Sequence, residues 1–97
     1  MTLAELDNAI RLADGCTISE VSWACRCPDR RHMGEYYSIS IDASMALIRR
    51  RWPDATVSLS GEKAFIAVPP NYYVMLEGAT DAERLARALL MALEGEK

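Results

Sequence analysis

Several features that would identify a familiar chemistry are missing from this sequence. Its five glycines are scattered along the chain, so no glycine-rich loop is present to cradle a phosphate. No pair of carboxylates stands out as a general acid and base, and no apolar run approaches the roughly 20 residues of a membrane span. The first residues are typical of an acidic amphipathic helix rather than of a signal peptide. We therefore expect neither an enzyme nor a membrane protein.

Cysteine and histidine are also scarce. The three cysteines are odd in number, so they cannot form a closed set of disulfides, and a reducing cytoplasm is the expected compartment. The 97 residues are enough for one domain, residues 1–97, with a modest core of its own. Because 51% of the residues are hydrophobic and 26% are charged, the composition indicates an ordinary folded protein.

All three cysteines and the only histidine lie within one stretch, "CTISEVSWACRCPDRRH", at 16–32. Cys16, Cys25, Cys27 and His32 have the number and type of ligands that a tetrahedral zinc site needs. The spacing is unlike that of a zinc knuckle, however, because CxC holds its two thiolates closer together than CxxC does. Free thiols beside a surface histidine are therefore the favoured interpretation, and zinc stays open as a cofactor. Redox chemistry at Cys25 and Cys27 and a cysteine–histidine nucleophile pair are weaker alternatives.

Hydrophobic periodicity and turn residues divide the chain into three helices and three strands. The predicted helices are 2–14, 41–52 and 80–94, and the predicted strands are 55–60, 63–68 and 72–76. Capping residues precede the helices: Thr2 with Glu5, Ser40 or Asp42, and Thr80 with Glu83. We expect an α/β fold, a small α/β/α sandwich in which helices flank a three-stranded antiparallel meander, in the order α-loop-α-β-β-β-α.

The apolar positions predict which side chains form the core. The helical stripes are Leu3, Leu6, Ile10 and Ala13, then Ile41, Met45, Ile48 and Trp52, and finally Ala82, Leu85, Ala86, Leu89 and Leu93. The second and third strands are apolar at both parities, which predicts burial on both faces. Tyr36 with Tyr37, and Tyr72 with Tyr73, are adjacent pairs, so each pair should place one ring in the core and one ring outward.

Part of the sequence resembles a known family. The stretch "YYSISIDASMALIRRRWPDATVS", with "ELDNAIRLADG" before it and "ATDAERLARALLMAL" after it, is similar to small phage proteins of the phage ABA-sandwich family. The resemblance covers most of the chain, weakly at 16–34, and its motifs are caps and core positions. "IRRRWPD" and the cysteine-rich stretch depart from the family's pattern. The resemblance implies a phage or prophage origin, an intracellular setting and no known activity.

Positive charge is concentrated in the middle of the chain. From Arg26 to Arg51 there are six arginines and three acids, a net of +3, whereas the whole chain carries −3. Exposed arginine, tyrosine and tryptophan dominate protein-binding hot spots. The residues that we assign to a partner-binding surface are Trp23, Arg26, Arg30, Arg31, Tyr36, Tyr37, Arg49, Arg50 and Arg51. The ordinary alternative is that the arginines are solvated and the rings close the core.

These observations favour non-catalytic binding of a host protein or protein complex. The resemblance suggests a phage accessory protein that inhibits a host defence complex, with CRISPR-Cas machinery as an example, and a homodimer stays open. Reversing the charge of Arg49, Arg50 and Arg51 should weaken such binding and leave the fold intact.

Two other functions use the same residues. A small nucleic-acid-binding regulator would use the basic patch, and residues 42–94 have the element order of a double-stranded RNA-binding domain. The last predicted helix begins with Asp81 and Glu83, however, which would repel phosphates. A zinc-stabilised structural module is the third candidate.

Overall fold

The structure is a computed structural model that describes residues 2–15 and 36–95. Its helices are α1 (Leu3–Ala13), α2 (Ile41–Arg51) and α3 (Asp81–Gly95), and its strands are β1 (Thr56–Ser60), β2 (Lys63–Val68) and β3 (Asn71–Met75). The predicted α/β class and the order α-α-β-β-β-α are confirmed, and every boundary lies within one residue of its predicted position. No helix in the described ranges is long and apolar enough to cross a membrane.

Helix α1 begins and ends as its sequence predicts. The Glu5 backbone N–H donates to the Thr2 hydroxyl at 3.1 Å, and the Thr2 N–H donates to the Glu5 carboxylate at 3.2 Å, which completes the capping box. Gly15 follows the helix with a φ of 93°, a left-handed conformation that carries no steric penalty for glycine. The helix buries most of its predicted stripe, but Leu3 is 41% exposed and lies outside the core.

Helix α2 is capped by Ser40 rather than by Asp42, because the Ser40 hydroxyl accepts the Ala43 N–H at 3.2 Å. Its buried residues are Ala43, Ser44, Leu47 and Ile48. The predicted stripe is therefore wrong at Ile41, which is 36% exposed, whereas Met45 and Trp52 are partly buried and pack against the core as predicted. The helix also turns its small residues inward, which allows it to approach its neighbour closely.

Helix α3 begins with half of its predicted capping box. The Thr80 hydroxyl accepts the Glu83 N–H at 3.1 Å, whereas the Glu83 carboxylate accepts a hydrogen bond from Nε of Arg87 at 2.9 Å. Gly95 is the last residue of the helix rather than the residue that follows it. Its missing side chain makes room for Tyr73, because a Cβ at Gly95 would lie 2.8 Å from the Tyr73 hydroxyl oxygen.

The strands form the predicted antiparallel meander, in the order β1-β2-β3. Val57 is paired with Ile66, and Ile66 is paired with Tyr73, so these three side chains share one face of the sheet. Ile66 is completely buried on that face, and Val57 and Tyr73 pack against the core. Tyr72 lies on the other face and is 67% exposed, which confirms the predicted division of this tyrosine pair.

Helix α3 is the centre of the core. It packs on β2 and β3, and both α1 and α2 pack on it. Its buried residues are Leu85, Ala86, Ala88, Leu89, Ala92 and Leu93. Because the alanines let several neighbours approach, α3 buries side chains over a wide arc.

In the described ranges α3 packs directly on the sheet, and α1 and α2 pack on α3. The prediction that β3 is buried on both faces is wrong, since Tyr72 is 67% exposed and Val74 is 47% exposed. Ala67, on the same face but in the central strand, is only 8% exposed, because the neighbouring strands shield it. A strand that is apolar at both parities is thus not necessarily covered on both faces.

Candidate functional site

The ends of α1 and α2 are joined by a buried carboxylate. Asp14 follows the last residue of α1, and its side chain is 3% exposed. Its Oδ1 accepts a hydrogen bond from Nη1 of Arg51 at 2.6 Å, and its Oδ2 accepts one from Nη2 of Arg50 at 3.4 Å. Both arginines belong to the last turn of α2, where cations interact favourably with the helix dipole. They supply the positive charge that a buried carboxylate requires.

Both arginines remain partly exposed to solvent. The side chain of Arg50 is 44% exposed, and that of Arg51 is 32% exposed. The Arg51 guanidinium lies 5.7 Å from the centroid of the Trp52 ring, and Trp52 packs against the core. Because Asp14 and Trp52 both contact it, the Arg51 guanidinium is held in one orientation at the surface.

A second arginine–aromatic pair lies one turn earlier on α1. The Arg11 guanidinium is 6.0 Å from the centroid of the Tyr36 ring, and its Nη1 donates to Oδ1 of Asn8 at 3.2 Å. Arg11 and Asp14 are three residues apart, so their side chains leave α1 on neighbouring positions of one side. With Arg49, which belongs to the same turn of α2, these residues form a surface that we call the arginine–aromatic strip: Arg11, Asp14, Tyr36, Arg49, Arg50, Arg51 and Trp52.

The turn that carries Tyr36 is held by another buried carboxylate. Asp7 of α1 is 6% exposed and accepts two hydrogen bonds from Ser38, from the backbone N–H at 2.8 Å and from the hydroxyl at 2.9 Å. The Ser44 hydroxyl donates to the Tyr37 carbonyl at 3.4 Å. The turn therefore directs Tyr37 into the core, where it is 1% exposed, and leaves Tyr36 57% exposed, as predicted for an adjacent pair.

The structure changes the set of partner-binding residues that the sequence predicted. Tyr37 is a core residue, so it is not available to a partner, contrary to the prediction. Tyr36 and the arginines 49–51 are exposed. The other predicted contacts and the candidate metal ligands lie outside the described residues: Trp23, Arg26, Arg30, Arg31, Cys16, Cys25, Cys27 and His32. Within 2–15 and 36–95, no group of three His, Cys, Asp or Glu side chains is placed to hold a metal ion.

The pairing with Asp14 also changes what a charge reversal does. We expected reversal of Arg49, Arg50 and Arg51 to leave the fold intact. Acidic side chains at 50 and 51 would instead stand beside a buried carboxylate, and removing the partners of a buried charge is strongly destabilising. Arg49 has no ion pair within the described residues, so it is the position at which charge can be reversed without this cost.

Sequence reasoning missed the acidic members of this site. Asp7 and Asp14 lie on the same face of α1 as its buried apolar residues. An acid on an apolar stripe is a signal that a carboxylate is buried and needs a partner. The identity of the partner was not predictable, since Ser38 lies 31 positions from Asp7 and Arg51 lies 37 positions from Asp14.

A groove of about 430 Å³ lies beside Trp52. Its lining is formed by Arg51–Ala55 with Val68 and Pro69. The groove is mostly apolar, and Arg51 and Asp54 are its charged members. It continues the strip past Trp52 and offers a partner an apolar contact next to the guanidinium groups.

The fold and the strip define a small α/β protein with an ordered surface of arginine and aromatic side chains. Comparison of the chain with protein-family models, with curated proteins and with solved structures found no match. The similarity to the phage ABA-sandwich family therefore stays a prediction from the sequence motifs.

Proposed function

We propose that this chain is a non-catalytic protein-binding protein whose arginine–aromatic strip contacts an acidic patch on its partner. One observation supports this most directly: Asp14 holds two guanidinium groups at the surface and leaves them 44% and 32% exposed. Arginine, tyrosine and tryptophan are the residue types most enriched in binding hot spots, and the strip combines all three.

The side chains of the strip are already held in place in the free protein, and this favours binding. Fixing a mobile side chain on association costs about 0.5–1.5 kcal/mol, and Arg51 is already fixed by Asp14 and Trp52 in the free protein. Within the described residues, only Nη1 of Arg51 has an acceptor. A planar guanidinium with donors to spare can bind a carboxylate through two parallel hydrogen bonds.

The charge of the strip selects an acidic partner. Arg50 and Arg51 share one buried carboxylate, and Arg49 of the same turn has no ion pair within the described residues, so the last turn of α2 carries a net positive charge. The chain as a whole carries −3. An acidic partner is therefore attracted to the strip and repelled by the remaining surface, which orients the encounter.

The motifs shared with the phage family suggest the biological setting. The proposed protein is a phage or prophage accessory protein that acts in the bacterial cytoplasm. Its proposed partner is a host protein or protein complex, with a defence complex such as CRISPR-Cas machinery as the target class. Small phage proteins without catalytic motifs commonly act by occupying a host protein, which is why this target class is chosen.

A nucleic-acid-binding regulator is the second candidate, because the same guanidinium groups can contact phosphates. Asp14 lowers the positive charge available for such contacts, and the first turn of α3 is acidic at Asp81 and Glu83. The zinc-stabilised module depends on ligands that lie outside the described residues. Protein binding therefore stays the favoured function.

Site-specific photo-crosslinking in a bacterial host tests the proposal. A photoreactive amino acid replaces Tyr36, which is 57% exposed, and in a matched control it replaces Lys63, which is exposed on the sheet. Adducts are identified by mass spectrometry. We expect position 36 to capture a defined protein that position 63 does not capture.

The captured protein is then purified and titrated with two variants, Arg49→Glu and Lys63→Glu, each of which reverses one exposed charge. We expect Arg49→Glu to weaken binding at least tenfold, about 1.4 kcal/mol, and Lys63→Glu to leave it nearly unchanged. Equal affinities for both variants contradict the proposal. Capture of nucleic acid, with binding that falls steeply as salt rises, supports the regulator instead.

A further inference from the structure

The face of the sheet opposite α3 carries a second surface, made of aromatic and aliphatic side chains. Tyr72 is 67% exposed, Val74 is 47% exposed and Leu76 is 66% exposed. The Tyr72 ring is stacked on Phe65 of the neighbouring strand, with centroids 6.0 Å apart and planes inclined by 20°. Three large apolar side chains at alternate positions thus lie in a row along β3 and just beyond it.

Strand β3 is an edge of the described sheet, because β2 is its one neighbour in the strand order. Every second residue of an edge strand directs its N–H and C=O away from the sheet. Proteins usually protect such edges with lysine, other charges or bulges. The sequence from Ala64 to Leu76 contains no charged residue, so β3 lacks this protection.

The other edge differs in its side chains. Strand β1 exposes Thr56, Ser58 and Ser60, which are small and polar, and no large apolar residue of β1 is exposed. Association through an edge is therefore favoured at β3.

We propose that β3 pairs in antiparallel fashion with β3 of a second copy of this chain, which joins the two sheets into one. A pairing centred on Val74 places Tyr72 opposite Leu76 of the other copy, and aromatic–aliphatic pairs of this kind stabilise sheets. On the face towards α3, the same pairing places Tyr73 opposite Met75. The strand is thus complementary to itself.

Neighbouring registers are less favourable. A pairing centred on Tyr73 places Pro70 in the ladder, and proline has no N–H to donate. A pairing centred on Met75 places the Glu77 carboxylate opposite Tyr73, on the apolar face. With Val74 at the centre, the two Glu77 carboxylates lie at opposite ends of the paired strands and do not repel each other.

The size of the contact sets its strength. The three exposed side chains offer on the order of 300 Å² in each copy, against roughly 800 Å² for each partner of a stable complex. We therefore expect a weak dimer that forms only at high protein concentration. The dimer uses a different side of the molecule from the arginine–aromatic strip, since its contacts are on β3 and those of the strip are on α1 and α2.

Sedimentation velocity of the purified full chain, from about 10 µM to about 1 mM, tests the dimer. We expect a monomer at the lowest concentration and a sedimentation coefficient that rises with concentration. In Val74→Lys, two ammonium groups meet at the centre of the pairing, so the rise should disappear. Ser58→Lys, the matched exposed position on β1, should behave like the wild type.

A chain that stays monomeric over the whole range overturns the proposal, as does a Val74→Lys variant that associates like the wild type. Circular dichroism melting of each variant establishes that it is folded. If Val74→Lys does not fold, hydrogen exchange of the wild type replaces it: the amides of β3 should exchange more slowly at high concentration than at low concentration, and β1 amides should not change. Equal exchange at both concentrations overturns the proposal.

Discussion

Oδ1 of Asp14 lies 2.6 Å from Nη1 of Arg51, which joins the end of α1 to the end of α2 across 37 positions of sequence. The Asp14 side chain is 3% exposed, whereas that of Arg51 is 32% exposed, so one partner is buried and the other reaches the surface. The same bond therefore stabilises the fold and orients the guanidinium that we propose as a contact.

Replacing Arg51 with methionine should lower the free energy of unfolding by about 1–3 kcal/mol, because the buried carboxylate loses its shorter hydrogen bond. Urea unfolding followed by tryptophan fluorescence measures the change. Arg49→Met removes an exposed arginine from the same turn and should change stability by less than about 0.5 kcal/mol. In a double-mutant cycle, the variant that carries both Arg51→Met and Asp14→Asn should lose less unfolding free energy than the sum of the losses of the two single variants. Equal stabilities of the two methionine variants would contradict this role for Arg51.

Replacing Ser38 with alanine should lower the free energy of unfolding by about 1–3 kcal/mol, because Asp7 keeps the backbone donor but loses the hydroxyl at 2.9 Å. The exposed Ser58 provides the control, since Ser58→Ala removes a hydroxyl that does not contact Asp7. Thermal and urea unfolding of both variants are compared. If Ser38→Ala loses no more unfolding free energy than Ser58→Ala, the hydrogen bond between Asp7 and the Ser38 hydroxyl does not stabilise the turn.

The fold was largely predictable because its signals are local. Thr2 and Glu5 form their cap within four residues, and Gly15 ends α1 through its own backbone conformation. The exposure of one face of β3 was not predictable in this way. Which face of β3 is covered depends on where the helices pack, and the apolar pattern around Tyr72 and Val74 is the same for a covered and an uncovered face.

The candidate site was predictable only in part. Tyr36 and the arginines 49–51 were identified by residue type, since tyrosine and arginine are frequent in binding surfaces. The positions of Asp7 and Asp14 on an apolar stripe contained a signal of burial, but their partners lie more than thirty residues away. Only the packing of α1 and α2 on α3 brings these groups together.

Replacing Gly78 with alanine should be more costly than replacing Gly61. A Cβ at Gly78 would lie 2.8 Å from Cγ of Arg84 and 3.1 Å from its backbone nitrogen, whereas a Cβ at Gly61 meets nothing within 4 Å. Both glycines have positive φ, but 58° at Gly61 lies in the left-handed region that alanine adopts at a cost of about 1 kcal/mol, whereas 150° at Gly78 lies in a region almost confined to glycine, so Gly78→Ala adds a larger backbone strain to the collision.

We expect losses of about 1 kcal/mol for Gly61→Ala and about 2 kcal/mol or more for Gly78→Ala, by urea unfolding. The Gly78 variant also disturbs Arg84, whose Nη1 donates to the Gly78 carbonyl at 2.7 Å. Equal losses would show that the contact with Arg84 is relieved by a small movement.

The capping box makes α1 sensitive to acid. The Thr2 backbone N–H, followed by the Thr2 hydroxyl, holds the pKa of the Glu5 carboxyl below its ordinary value of 4.5. A lowered pKa in the folded state means that the stabilisation is present above about pH 4.5 and is lost as the pH falls through the folded-state pKa.

The comparison of wild type with Glu5→Gln checks this dependence, because glutamine keeps an acceptor oxygen but does not titrate near pH 4. We expect the wild type to have the higher melting temperature at neutral pH and the difference to disappear at low pH. A difference that is constant with pH would show that the charge of Glu5 does not stabilise the cap.

The cysteine-rich stretch gives a prediction about metal. Free thiols are the favoured interpretation of Cys16, Cys25, Cys27 and His32, so native mass spectrometry should give the mass of the metal-free chain. The measurement is made on freshly purified protein, with and without a chelator. One zinc ion per chain that is lost on chelation would contradict this interpretation and favour the zinc-stabilised module.

The central claim is that the arginine–aromatic strip binds a carboxylate-rich patch, and a charge-swap titration tests it most directly. Calorimetry of Arg49→Glu against the captured host protein should show at least a tenfold loss of affinity, about 1.4 kcal/mol. Exchanging an acidic contact residue of that protein for lysine should restore much of the loss, because the two charges are then of opposite sign again. Wild-type affinity for Arg49→Glu, or a loss that no exchange restores, would contradict the account.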